Sequence, residues 1–141
     1  MDLKKYVGRT SGPHEVEISQ EKLTAFANSV GAQVVGASSL QSSSTDLPTF
    51  PTLFRDGEFI LLKEMGVELR QVLHGEQDYS YKKPIRVGER VTYETRLESV
   101  HDKSGSRGCM HFILVSTEVR VGSELRCTSK TTIIYIERGS Q

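Results

Sequence analysis

The chain reads as an α+β domain in which an antiparallel sheet wraps around a buried helix, and three features predict it. Two helix patterns, one amphipathic and one apolar on most sides, come before the main run of strands. Between Val72 and Val100 two strand patterns are joined by a connection containing Pro84 and Gly88. Two further strand patterns follow between Cys109 and Glu137, each bounded by turn residues. Helices grouped ahead of strands, without alternation, mark an α+β architecture. At 141 residues the chain is most simply one domain, 1–141, large enough for a single core.

The first 18 residues predict an irregular start with one short strand, His14 to Ile18, in which Val16 and Ile18 share a face. Ser19 is placed to cap the helix that follows. From Gln20 to Val30 the apolar positions are Leu23, Phe26, Ala27 and Val30, the stripe of an amphipathic helix, with Gly31 at its end. Ala32 to Phe50 carries no periodicity and holds the Ser-rich run Ser38 to Thr45, with Pro48 and Pro51 close behind. So long a structureless stretch in a compact domain is either functional or floppy. Phe59, Leu61, Leu62, Met65 and Leu69 then predict a second helix from about Gly57 to Met65, buried on most sides, with Gly66 as its exit.

Val72 to Tyr81 is strand-like, and in Arg90 to Val100 the residues Val91, Tyr93, Thr95 and Leu97 alternate with Thr92, Glu94, Arg96 and Glu98. That period of two belongs to a strand with one buried and one wet face. Asp102 to Gly108 reads as a hairpin tip. Cys109 to Val121 places Val115, Thr117, Val119 and Val121 on one face, and a turn at Val121 to Glu124 leads into Leu125 to Glu137. A helix followed by a long antiparallel sheet of this kind is the hotdog arrangement.

Composition excludes several classes of function. Eighteen basic and eighteen acidic residues balance, so no basic stripe argues for nucleic acid and no basic amphipathic run for a membrane surface. The longest apolar run, Phe59 to Leu62, is far too short to span a bilayer, and MDLKKYVGR lacks the apolar region of a signal peptide. A cytoplasmic location is the resulting expectation. Cys109 and Cys127 lack a CxxC context and are expected to be reduced core residues. No spacing among His14, His74, His101 and His111 matches a zinc site, and no cofactor is expected.

The segments VGRTSGPHEVEISQEKLTAFANSVG, LPTFPTLF and MGVELRQVLHGEQDYSYKKPIRVGERV resemble the N-terminal hotdog domain of the MaoC-like dehydratases. The type is that of the small stand-alone subunits of bacterial (3R)-hydroxyacyl thioester dehydratases. The resemblance runs from about Tyr6 to Ile136, and LHGEQDYSYKKPIRVGE is its most specific piece. It implies an acyl thioester, on coenzyme A or acyl carrier protein, as the bound molecule. It also implies hydration of a trans-2-enoyl group, or the reverse dehydration, as the chemistry. In catalytic members an Asp-x-Asn-Pro-x-His motif before the central helix supplies the acid/base pair. Here the corresponding stretch is SVGAQVVGASSLQSSSTDLPTF, without that motif. What the resemblance then implies is a companion subunit that shapes the acyl tunnel, in a homodimer or in a heterodimer with a catalytic hotdog chain. The alternatives are an acyl-CoA binding homodimer without catalysis and a hotdog acyl-CoA thioesterase.

His74 is the candidate acid/base residue, set against a structural role tying its strand to the helix; an imidazole suits proton transfer near neutrality. Tyr79 and Tyr81 share a face by period two and are candidates for lining the tunnel or packing in the core. Gly57, opening the second helix beside Asp56, is the candidate for a thioester-oxygen contact through backbone N–H groups. Glu58 and Glu64 on that helix are the carboxylates a thioesterase would use. Lys82, Lys83, Arg86 and Arg90 cluster around a turn, where they would meet phosphates or an acidic carrier protein, or simply be solvated.

Overall fold

A computed structural model of the chain describes residues 2–19, 21, 25, 54–83, 85–106 and 108–137. The predicted helix from Gln20 to Val30 falls outside the described residues apart from Glu21 and Ala25, which are helical and exposed. The segment 32–50, with its lid-or-floppy reading, also lies outside them.

Five strands form one antiparallel sheet: β1 (His14–Glu17), β2 (Val72–Tyr81), β3 (Arg90–Gly105), β4 (Gly108–Val121) and β5 (Glu124–Glu137), in the order β1-β3-β4-β5-β2. One helix, α1 (Asp56–Glu64), lies against a face of this sheet, which is the hotdog arrangement that the order of elements predicts. Among the described residues β1 and β2 are the outermost strands. The hairpin tip is tighter than the sequence suggests, because Asp102, Lys103 and Ser104 pair with His111, Met110 and Cys109, leaving the turn between Gly105 and Gly108.

α1 ends where the sequence places its exit. Gly66 takes φ 73°, a left-handed conformation that costs glycine nothing. The Gly66 and Val67 amides then bond back to the carbonyls of Lys63 and Leu62 at 3.1 and 3.0 Å, the two bonds of a Schellman cap. The helix is less buried than its composition predicts. Leu61 and Leu62 are buried, but Phe59 and Ile60 stay 45% and 37% exposed, because only one side of the helix meets the sheet.

Two bulges break the period of two. In β3 the register shifts between Leu97 and Ser99, so burial passes from Val91, Tyr93, Thr95 and Leu97 to Val100. In β2 it shifts between His74 and Glu76, around Gly75. An extra residue in one strand turns every later side chain to the other face. His74 opposite Ile133, and Gln77, Tyr79 and Tyr81 opposite Thr131, Ser129 and Cys127, therefore all face the helix side of the sheet.

The core is divided. One apolar cluster holds Leu61, Leu62 and Met65 of α1 against Leu97, Val100, Ile113, Val115, Ile133 and Tyr135. A second, with Ile18, Phe54, Ile85, Val91, Tyr93, Val119 and Cys127, occupies the other end of the sheet. Between them runs a row of polar residues in register across four strands, Thr95, Thr117, Ser129 and Tyr79. Thr95 and Thr117 share a buried hydrogen bond of 2.7 Å. The first turn of α1 sits over this row.

Candidate functional site

The N-terminal turn of α1 gathers polar groups from both halves of the sheet. Glu58 is 2% exposed. Its Oε2 accepts from Arg55 Nε at 2.8 Å and its Oε1 from the Thr131 hydroxyl at 2.8 Å. Position in the first turn favours an anion through the helix dipole, and a buried carboxylate needs such partners to offset its lost hydration. Thr131 Oγ1 is also 2.9 Å from Gln77 Oε1, which lies 3.0 Å from His74 Nε2. The Gln77 amide donates to Ser129 Oγ at 2.7 Å and to the Lys130 carbonyl at 3.3 Å. A continuous polar chain thus runs from Arg55 through Glu58, Thr131 and Gln77 to His74 at the sheet edge.

Simple alternation sets His74 and the odd-numbered Gln77, Tyr79 and Tyr81 on opposite faces. The bulge at Gly75 brings them to one side. His74 is exposed and bonded to an amide, and among the described residues no carboxylate orients it in the manner of an acid/base pair. Tyr79 O–H is buried without a hydrogen-bond partner among the described residues. Burial raises its pKa, with Arg55 opposing and Glu58 adding to the effect. Tyr81 lies with its ring centroid 6.1 Å from that of Tyr79, and burial pushes its phenol up to about 12 although the residue is 37% exposed.

Gly57 faces β3. A Cβ built there would lie 2.4 Å from Thr95 Oγ1 and 2.7 Å from Ser11 Oγ, so the missing side chain is what lets the helix approach the sheet. Its N–H belongs to the first turn, where amides have no partner within the helix. Asp56, beside it, accepts from Tyr93 O–H at 2.9 Å. Burial, followed by that bond to Asp56, pushes the Tyr93 phenol up to about 12. His14 stacks on the Tyr93 ring at 5.3 Å, and its buried Nδ1 has no partner among the described residues.

Of the two glutamates on the helix only Glu58 is desolvated. Glu64 is exposed and 3.8 Å from Arg9. With both Glu58 oxygens engaged, the position suits a structural or orienting carboxylate better than a nucleophile. Two of the four residues of the basic cluster meet acids of the strands: Lys83 lies 2.9 Å from Glu124 and Arg90 lies 3.2 Å from Glu15. Nearby, Arg126 clamps Glu89 at 2.9 and 2.6 Å and bonds Glu124. Among the described residues no group of three His, Cys, Asp or Glu could hold a metal ion, and no helix is long and apolar enough to cross a membrane.

Sequence reading missed Arg55 and Thr131. A signal existed for the second: Thr95, Thr117, Ser129 and Thr131 all stand at inward positions of apolar strands, where a polar residue asks for a buried partner. Gly75 inside a strand pattern was likewise a signal for a bulge.

The family described as "FAS1-like, dehydratase domain region" matches residues 5–125. A UPF0336 protein of Streptomyces griseus is 32% identical over 124 residues, covering 77% of this chain and 83% of that protein. Among solved structures, the C-terminally truncated HadBC (3R-hydroxyacyl-ACP dehydratase) complex from Mycobacterium tuberculosis aligns with TM-score 0.68 at 16% identity, covering 92% of this chain and 96% of that one. The (R)-hydratase from A. caviae involved in PHA biosynthesis aligns with TM-score 0.61 at 15% identity, covering 93% and 96%. At these identities both likenesses speak for the hotdog fold.

Proposed function

This chain belongs to the FAS1-like, dehydratase domain region family of MaoC-like hotdog proteins, and from that we propose that it is the acyl-thioester-binding subunit of an (R)-specific enoyl hydratase or 3-hydroxyacyl dehydratase. A second hotdog chain supplies the acid/base pair. One observation carries the reading. The site on the helix side of the sheet has a desolvated carboxylate locked between Arg55 and Thr131, and a histidine bonded to an amide. The Asp-x-Asn-Pro-x-His motif is absent from the sequence. Adding water to an enoyl thioester needs a base with a free lone pair near the water and donors for the enolate oxygen. The helix N-terminus at Gly57 can provide the donors, Tyr79 and Tyr81 line the acyl side, and neither Glu58 nor His74 is arranged as that base.

The partner would pair along the outer edge of β2, whose neighbourhood carries the exposed apolar residues Leu73, Leu69 and Tyr81. A ten-residue strand with no neighbour on its outer side among the described residues invites another strand. The similar HadBC protein is by its description a complex, a 3R-hydroxyacyl-ACP dehydratase.

The test is hydration of crotonyl-CoA, followed as loss of enoyl absorbance, by the chain alone and after coexpression with a hotdog chain bearing the missing motif. Turnover only in the copurified complex is the expected result. Turnover by the chain alone would overturn the assignment and direct mutagenesis to His74 and Glu58. Saturable acyl-CoA binding without turnover under either condition would leave the non-catalytic homodimer as the function.

A further inference from the structure

At the opposite end of the sheet from the α1 N-terminus, His111 is 1% exposed and both its ring nitrogens face carboxylates. Nδ1 lies 2.7 Å from Asp102 Oδ1 and Nε2 lies 2.8 Å from Glu137 Oε2. A neutral imidazole carries one N–H, and an ionised carboxylate can only accept. Both contacts are hydrogen bonds only when both ring nitrogens are protonated. With one proton removed, a nitrogen lone pair would face a carboxylate oxygen at hydrogen-bond distance inside a buried site.

We propose that Asp102, His111 and Glu137 form a proton-dependent clasp that holds the outer ends of three strands together and opens as the pH rises. Asp102 lies near the end of β3, His111 near the start of β4, and Glu137 is the last residue of β5. Other groups facing the unit are Lys4, 3.9 Å from the second oxygen of Asp102, and Tyr135, whose ring stacks on the imidazole at 5.8 Å. Burial, with Glu137 and Glu68 adding to it, raises the pKa of Tyr135, so this phenol stays neutral through the range concerned. His111, with the amino-terminal charge adding to it, holds the Glu137 carboxyl below the usual range. A depressed carboxylate contributes stability that is lost only as pH falls through its folded value. The clasp is therefore closed in a window, bounded below by protonation of Glu137 and above by loss of the proton that lets both ring nitrogens donate.

The experiment uses the full chain with 15N-labelled histidine. It follows the His111 ring nitrogens between pH 5 and 9 alongside hydrogen-exchange protection of the amides of Ile134 to Glu137. Expected are two protonated ring nitrogens at the acidic end, and a fall of about tenfold or more in protection as that proton is lost, the worth of one charge-assisted bond. Protection of Val115 to Val119 should not follow. In Glu137→Gln the side-chain amide can donate to a deprotonated nitrogen, so protection should lose its dependence on pH. A ring that is neutral at pH 5, or wild-type protection that ignores its titration, would overturn the proposal.

Discussion

Replacing Gly57 by alanine tests the claim that close contact between α1 and β3 builds the site. In an exposed helix this change stabilises by about 1 kcal/mol, because alanine is the better helix former. Here the new methyl would sit 2.4 Å from Thr95 Oγ1, 2.7 Å from Thr95 Cβ and 2.7 Å from Ser11 Oγ. Two of these atoms are hydroxyls with existing duties: Thr95 bonds Thr117, and Ser11 accepts from the Thr95 amide at 3.2 Å. Neither can turn away without giving up a buried bond, and Thr95 Cβ cannot turn at all. Overpacking costs about 1–3 kcal/mol and a lost buried hydrogen bond about 1 kcal/mol more. Set against the helix gain, the net destabilisation is about 1–3 kcal/mol, or a fall in Tm of about 3–10 °C for a chain of this size. Urea titration at fixed protomer concentration reads it as a lower midpoint with unchanged slope. Thr95→Ala in the same chain removes the blocking hydroxyl and should recover part of the loss. A Gly57→Ala protein as stable as the wild type, or more so, would refute the reasoning.

Three further outcomes are expected. Glu58→Ala strands Arg55 and Thr131 and should cost about 2–3 kcal/mol in urea titration, short of a fully buried pair because Arg55 can rehydrate, whereas Glu64→Ala should stay within about 0.5 kcal/mol. Tyr79→Phe deletes a buried hydroxyl that has no partner among the described residues, so stability should hold or rise by up to about 1 kcal/mol. Acyl-CoA binding measured by calorimetry should weaken about tenfold in the same variant, and an unchanged affinity would remove Tyr79 from the site. Burial pushes the Cys127 thiol from 9.0 up to about 11, so at pH 8 a disulfide reagent should modify Cys109 well before Cys127. The sign of that shift is that the folded chain keeps the proton longer, and this contribution to stability is lost as pH rises from about 9 through 11. Equal rates for the two thiols in the folded protein would contradict it.

Much of the fold was legible because its causes are local. The bounds of Val72 to Tyr81, the inward row from Val91 to Leu97 and the exit at Gly66 follow from periodicity and backbone preference, and the structure has them where the residues put them. The site was legible only in part. His74, Tyr79, Tyr81, Gly57 and Glu58 could be named, but not how they stand to one another. The bulge that turns His74 to the side of Gln77 depends on the pairing of β2 with β5. The partners of Glu58 include Thr131, 73 residues away in sequence. Whether Gly57 serves a ligand or the sheet turns on where Thr95 lies, and two of the four basic residues around the turn, Lys83 and Arg90, meet Glu124 and Glu15 of distant strands. By itself, then, the sequence determined the bounds of the strand from Val72 to Tyr81, the inward row from Val91 to Leu97 and the end of the helix at Gly66. Only the tertiary structure decided which inward groups meet, because register, bulges and ion pairs are set by contacts between segments that no local pattern records.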